Sequence, residues 1–174
     1  MYYLCKFCKY DPNNSVRVTT TDSFFIKWVV QIQNAGEENG KEERLINIHH
    51  DVAQCIRSDK IFANTPWVDV DYVCIPINSS DAFHWFLVVF SIRSRCLYIY
   101  DSLYGFGTKH TKAVMSLVQK LSKMIPLFLV TTDYYGLRKD IDSNTNVYCS
   151  KKPVGDPLAC MKREHIPQQV DDFE

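Results

Sequence analysis

The sequence lacks an excess of charge of either sign, because its 174 residues include 20 Lys and Arg and 20 Asp and Glu. A protein that neutralises many phosphates needs a basic surplus, so nucleic acid is not an expected partner. The longest apolar run, Phe86–Phe90, falls far short of the ~18 residues that span a bilayer. The chain also has no basic stretch followed by an apolar one at its start. We therefore expect a nuclear or cytoplasmic protein that is not secreted and has no membrane partner.

The seven cysteines are odd in number and irregularly spaced, which is typical of free thiols rather than of a disulfide framework. Cys5 and Cys8 have the spacing of half a zinc site, but no second pair completes it. No metal and no cofactor are therefore expected. Hydrophobic residues make up 46% of the chain and charged residues 23%, as in ordinary globular domains. This length and composition predict a single domain over residues 1–174.

Hydrophobic periodicity predicts helices first and a sheet afterwards. Thr21-Asp22-Ser23 offers N-cap oxygens to a helix that follows, and the polar stretch Asn34–Arg44 indicates a surface loop after it. A second amphipathic helix is predicted over Ile46–Arg57. The first predicted strand begins at Val68 and closes at Pro76, and two more follow at His84–Ile92 and Arg95–Tyr100. A helix with apolar residues from Ala113 to Met124 comes next, and a last strand is predicted over Leu127–Thr131. From Tyr134 to Pro167 no element is predicted. This order favours an α+β fold.

His84 and Asp101 are the first candidates for chemistry. If Arg93-Ser94 is a two-residue hairpin turn, Leu103 lies opposite His84, and Asp101 lies one diagonal step away on the same sheet face, ~7–8 Å from it. A carboxylate beside an imidazole fixes its tautomer and stabilises the imidazolium, as in a nucleophilic triad. Spacing alone leaves a second interpretation open, in which the two polar side chains only satisfy each other.

Three blocks around this pair resemble one family, the ubiquitin-like-protein-specific (SUMO/sentrin-type) cysteine proteases. They are Val73–Asn78, His84–Val89 and Leu97–Leu103. The resemblance implies a papain-like fold with a central, mostly antiparallel sheet flanked by helices. It also implies that His84 and Asp101 are catalytic and that Trp85 lines the channel for the Gly-Gly tail of the substrate. Trp67, which precedes the first predicted strand, is a weaker candidate for that channel.

A fourth block at the end of the chain is similar to the segment before the family's nucleophile. Gln169 in Pro167-Gln168-Gln169 matches the glutamine that supplies an oxyanion-hole donor, and the nucleophilic Cys would follow Glu174 directly. Glu174 stands where the family usually has Asp. We therefore expect a chain truncated just before its catalytic Cys, with the start of the domain also missing before Tyr2-Tyr3-Leu4.

The resemblance implies a cysteine-type peptidase or isopeptidase that processes or deconjugates a Gly-Gly-tailed, SUMO-like modifier and its conjugates. Cys74 and Cys96 lie in predicted strands, and Cys160 precedes Gln169, so none is expected to replace the nucleophile. Without a thiolate no acyl-enzyme forms, and we expect the 174-residue chain to be inactive. Two alternatives stay open, a non-catalytic binder of a ubiquitin-like protein and an acyltransferase on the same fold. The sequence does not distinguish SUMO from other modifiers.

Overall fold

A computed structural model describes residues 17–39, 46–59, 65–79, 84–103, 108–141 and 149–151. Five strands, four α-helices and one 3-10 turn lie within these ranges. In chain order they are β1 (Val18–Thr20), α1 (Phe25–Asn39), α2 (Asp51–Arg57), the 3-10 turn (Trp67–Asp69), β2 (Tyr72–Ser79), β3 (His84–Ser91), β4 (Cys96–Tyr100), α3 (Thr108–Thr131), α4 (Tyr134–Leu137) and β5 (Cys149–Lys151).

The strands form one mixed sheet in the order β1-β2-β3-β4-β5. The central strands β2, β3 and β4 are antiparallel, with Val73 opposite Phe90 and Leu87 opposite Tyr100. The edge strands β1 and β5 pair in parallel with β2 and β4. The predicted α+β class with an antiparallel centre is therefore confirmed, whereas the two short parallel edge strands were not predicted.

Alternate residues of the central strands face two different environments. One face carries Ile75, Val88 and Leu97, which are buried against apolar residues of α1, α2 and α3 in the main core. The opposite face carries a smaller cluster of buried residues, Val18, Cys74 and Val89, with half-buried tyrosines around it. This alternation is what a strand with period-2 side chains produces when both faces are apolar.

Helix α1 begins as the sequence predicts and ends later. The Oδ1 atom of Asp22 accepts hydrogen bonds from the backbone N–H groups of Phe24 and Phe25, at 2.9 and 3.0 Å, which is the N-cap interaction. The helix then runs to Asn39, so the loop predicted from Asn34 is wrong for its first six residues. Gly36 is buried on the face of α1 that carries Ile32 and Val29. Residues 40–44 of that predicted loop lie outside the described residues.

Helix α3 contains the segment Leu127–Thr131, which the sequence analysis wrongly predicted to be a strand. Pro126 lies inside this helix. The buried residues continue at helical spacing across the proline, from Leu121 through Met124 and Ile125 to Phe128 and Leu129. Packing of this stripe against the core therefore outweighs the lost hydrogen bond at the proline.

The same helix is apolar enough to cross a membrane by length and composition alone. Lys109–Thr131 contains an 18-residue window with a mean hydropathy of 1.5. In this structure Val114, Val118 and Leu121 from that segment are buried in the main core. The apolar content of α3 thus supplies the packing between the helical layer and the sheet.

Other predicted boundaries shift for local reasons. Helix α2 begins at Asp51 rather than Ile46, because the Nδ1 atom of His50 accepts the N–H of Val52 and caps the helix there. Pro76 lies within β2 rather than at its end. The Cys74 carbonyl accepts the last bond from the β1 side, from the Thr21 N–H, and Pro76, which has no N–H to donate, ends the β1–β2 ladder there.

Arg138 connects the end of α4 to the segment before β2. Its side chain is 9% exposed, and its Nη1 atom donates to the carbonyls of Val68 and Val70 at 2.9 and 3.0 Å. Its Nε and Nη2 atoms donate to the two carboxylate oxygens of Asp140 at 2.7 and 3.0 Å. This planar fork satisfies two backbone acceptors and one carboxylate at once, which a lysine could not do.

Replacing Arg138 should therefore destabilise the fold. Arg138→Met leaves the Val68 and Val70 carbonyls without their donor, and we expect the free energy of unfolding in urea to fall by about 2–3 kcal/mol. The control is Arg93→Met, because Arg93 is 69% exposed and meets Asp140 at only 3.4 Å. That variant should change stability by less than ~0.5 kcal/mol. If both variants lose the same free energy of unfolding, the Arg138 contacts contribute no more to stability than the exposed Arg93 does.

The contribution of the Arg138–Asp140 interaction to stability depends on pH, because it changes the pKa of Asp140. Hydrogen bonding to Arg138 lowers the pKa of Asp140 to about 2, from a usual 3.8. Because the folded pKa is depressed, the contribution to stability is present above pH 3.8 and is lost as the pH falls toward 2. Urea unfolding across this window should show a steeper loss for the parent chain than for Asp140→Asn. Identical slopes would contradict the assignment.

Candidate active site

The sheet register brings His84 and Asp101 together. His84 is the first residue of β3, and Asp101 follows the last residue of β4, while Leu87 opposite Tyr100 fixes the alignment between the strands. The turn between the strands closes with a hydrogen bond from the Arg95 N–H to the Ile92 carbonyl. This is the register that an Arg93-Ser94 turn predicts, so the expected shared face of His84 and Asp101 is what the structure shows.

The Asp101 carboxylate is the centre of the site. Its side chain is 0% exposed, and its Oδ1 atom lies 2.7 Å from Nε2 of His84. The same Oδ1 atom accepts the backbone N–H of Leu103 at 2.9 Å. The side chain of His84 is 16% exposed, so the pair lies at the edge of the core with its imidazole reaching the surface.

A second histidine binds the other oxygen of this carboxylate. The Nε2 atom of His110, in the first turn of α3, lies 2.8 Å from Oδ2 of Asp101, and the His110 side chain is 13% exposed. The rings of His84 and His110 meet edge to face, with their centroids 5.5 Å apart. One buried carboxylate therefore holds two imidazoles, one from a strand and one from a helix.

The charge state of Asp101 decides which ring nitrogens carry protons. Burial raises the pKa of Asp101, but the hydrogen bonds from His110, the Leu103 N–H and His84 outweigh it and leave the pKa below its usual value. At neutral pH the carboxylate is therefore ionised and can only accept hydrogen bonds. Both Nε2 atoms must donate, which leaves Nδ1 of His84 as the nitrogen that can exchange a proton with a reacting group.

The sequence analysis did not single out His110, although a signal for it was present. His110 stands four residues before Val114, so it extends the buried stripe of α3 by one turn. If the helix packs on the sheet, a histidine on that stripe, nine residues after Asp101, lies close to the end of β4. The periodicity of apolar residues alone does not reveal a polar residue on the same helix face.

The remaining predicted site residues have different placements. Trp85 is 55% exposed and follows His84 in β3, so its side chain points to the opposite face of the sheet. Trp67 is fully buried between Phe25 and Phe90, with ring centroids 5.8 and 6.0 Å away, which makes it a core residue. Gln169 lies outside the described residues.

Three of the cysteines are buried and form no disulfide, namely Cys55, Cys74 and Cys96. Cys74 pairs with Val89 and Cys96 with Ser91. Each therefore lies about five strand residues from the nearer member of the His84–Asp101 pair, which is ~15 Å along the sheet. Neither Cys74 nor Cys96 is therefore placed to act as a nucleophile beside His84.

In this α+β domain a buried carboxylate orients an imidazole at the start of a strand, which is the arrangement of the base and the orienting group in a triad hydrolase. The model of the Ulp1 protease family, C-terminal catalytic domain, matches residues 1–134. The chain therefore belongs to the Ulp1 protease family, which is a family of cysteine proteases. This confirms the family predicted from the four sequence blocks, and it is the basis for assigning the papain-like fold.

Solved structures similar to the chain include two SUMO proteases. The catalytic domain of the Ulp1-like SUMO protease of Chaetomium thermophilum is 18% identical with a TM-score of 0.37, and the match covers 86% of this chain and 47% of that one. The SUMO protease Ulp1 with its catalytic cysteine oxidised to a sulfenic acid is 15% identical with a TM-score of 0.38, over 83% and 66% of the two chains. Similarity at this level does not establish a fold, so the assignment depends on the family model. No curated protein matches the chain in sequence.

Removing the Asp101 carboxylate should destabilise the site and the fold. Asp101→Ala takes the acceptor from two imidazoles and one backbone N–H, so we expect the free energy of unfolding at neutral pH to fall by about 2–3 kcal/mol. Asp69→Ala is the matched control, because Asp69 is exposed and should contribute less than ~0.5 kcal/mol. A stability of Asp101→Ala equal to that of the parent in urea would show that the cluster is not held as described.

Proposed function

We propose that this chain carries the base and orienting residues of a cysteine-type peptidase or isopeptidase. The substrate would be a ubiquitin-like modifier, SUMO-like in kind, cleaved after its Gly-Gly tail. The observation that supports the proposal most directly is the 2.7 Å contact between Nε2 of His84 and Oδ1 of Asp101, within a chain that belongs to the Ulp1 protease family.

In the proposed reaction His84 acts as a base and then as an acid. Its Nδ1 atom would take the proton of a cysteine thiol, and the thiolate would attack the carbonyl of the scissile bond to form an acyl-enzyme. The imidazolium would then give its proton to the leaving amine. Asp101 would hold His84 in the Nε2–H tautomer and stabilise its positive charge, as the carboxylate does in a triad.

Two further groups of the proposed site come from the family pattern. Gln169 would donate to the oxyanion of the tetrahedral intermediate, and the nucleophilic Cys would occupy the position after Glu174. Trp85, with 55% of its surface exposed, offers an aromatic ring to the extended tail of the modifier. Each of these roles is a prediction that requires its own variant.

The function is tested with the gene product read past codon 174, compared with the 174-residue chain. The substrate is a SUMO-like modifier that carries a fluorogenic reporter on its Gly-Gly terminus. We expect the longer product to release the reporter and the 174-residue chain to release none. In the longer product His84→Ala should lower kcat/KM by ~100-fold or more, because general acid–base catalysis is lost.

The control for that variant is His49→Ala, since His49 is exposed and belongs to another part of the fold. It should keep the parent rate. An unchanged rate in His84→Ala would contradict the assignment of the base. Turnover by the 174-residue chain alone would contradict the position of the nucleophile. Binding of the modifier without turnover by the longer product would favour the non-catalytic binder, and turnover only with an added acyl donor would favour the acyltransferase.

A further inference from the structure

Three side chains that commonly bind metal ions meet at the edge of the sheet. They are His84 from β3, Asp101 after β4, and His110 from the first turn of α3. One ligand atom from each lies within 4.8 Å of the others. Two imidazoles and one carboxylate form an oxygen and nitrogen donor set that suits zinc and its transition-metal neighbours better than Mg²⁺ or Ca²⁺.

We propose that these three residues form a binding site for a Zn²⁺ ion, which shares the imidazole of the proposed base but needs no nucleophile to bind. The ligands are Nε2 of His84, Nε2 of His110 and Oδ2 of Asp101. Each ring proton moves from Nε2 to Nδ1 when the ion takes its place. The donor set leaves the fourth position of a tetrahedral ion to water, which is the arrangement of open zinc sites.

The distances are close to those that an ion needs. Zinc binds nitrogen and oxygen at ~2.0–2.2 Å, so two ligand atoms on a tetrahedral ion lie ~3.3 Å apart. At present Nε2 of His110 lies 2.8 Å from Oδ2 of Asp101, and Nε2 of His84 lies 2.7 Å from the other carboxylate oxygen, Oδ1. Nε2 of His110 and Oδ2 must therefore separate by ~0.5 Å, while Nε2 of His84 turns from Oδ1 toward the ion, and tilts of two partly exposed imidazole rings provide both changes.

The surroundings favour such a site. The Leu103 N–H donates to Oδ1 of Asp101 at 2.9 Å and would keep the carboxylate oriented while Oδ2 binds the ion, as outer hydrogen bonds do in zinc proteins. The side chains of His84 and His110 are 16% and 13% exposed. These openings give an ion a route in and leave room for the water ligand.

The rival interpretation is a cluster that is satisfied by hydrogen bonds alone and has no affinity for metal. A direct measurement of metal binding distinguishes the zinc site from a cluster that is satisfied by hydrogen bonds alone. The test uses the 174-residue chain with Cys5→Ser and Cys8→Ser, because a Cys-x-x-Cys pair can bind zinc by itself. Isothermal titration of the metal-stripped chain with ZnCl₂ should show one ion per chain, and MgCl₂ should show none.

Variants of the ligands identify the site. His110→Gln and His84→Gln should each weaken Zn²⁺ binding by ~10-fold or more, since even outer-sphere changes cost that much. His49→Gln is the matched control and should bind as the parent does. Zn²⁺ should also raise the Tm of the parent and of His49→Gln but not of His110→Gln, because an ion that binds only the folded state stabilises it.

A readout without substitutions guards against variants that fail to fold. In ¹⁵N-labelled chain, Zn²⁺ should shift the ring nitrogens of His84 and His110 and leave those of His49 and His50 in place. The proposal is overturned if ZnCl₂ does not bind, or if it binds while the signals of His84 and His110 stay unchanged. Neither result would affect the proposed peptidase function, which is measured by turnover of the longer gene product.

Discussion

The arrangement of this site depends on one buried carboxylate. Asp101 is 0% exposed and accepts hydrogen bonds from two imidazoles and a backbone N–H, which together keep it ionised in spite of its burial. An acceptor-only group in this position leaves His84 and His110 no choice of donor atom. A single ionised side chain thus sets the tautomer and the orientation of both rings, and it joins a strand end, a strand start and a helix start at one point.

The fold provides that convergence through register rather than through a long loop. The antiparallel pairing of β3 and β4 places the start of one strand beside the end of the other, and α3 packs on the same face, so that its first turn returns to the sheet edge. The chain belongs to the Ulp1 protease family, which is a family of cysteine proteases. The proposed base and the proposed zinc site use the same imidazole, that of His84. The two proposals can be tested separately, because the peptidase reaction needs a nucleophile and zinc binding does not.

Sequence patterns predicted the parts of the fold that local rules determine. The N-cap at Asp22 and the β3–β4 register followed from side-chain chemistry and turn length, and the register was enough to bring His84 to Asp101. Tertiary packing decided what the sequence analysis missed. Pro126 is tolerated in α3 because the apolar stripe continues past it, and the edge strands β1 and β5, of three residues each, are too short to show a period. His110 was missed because it lies on a helix whereas its partner, Asp101, follows a strand, although the two residues are close in sequence.

The central claim is that ionised Asp101 holds His84 as the Nε2–H tautomer, with Nδ1 free to act as a base. Long-range ¹H–¹⁵N correlation spectra of the metal-free 174-residue chain test it directly, with His84 assigned through His84→Gln. The account predicts a protonated Nε2 in His84 at neutral pH, and loss of that fixed tautomer in Asp101→Ala. A His84 ring that carries its proton on Nδ1 alone, or that averages between tautomers in the parent chain, would contradict it.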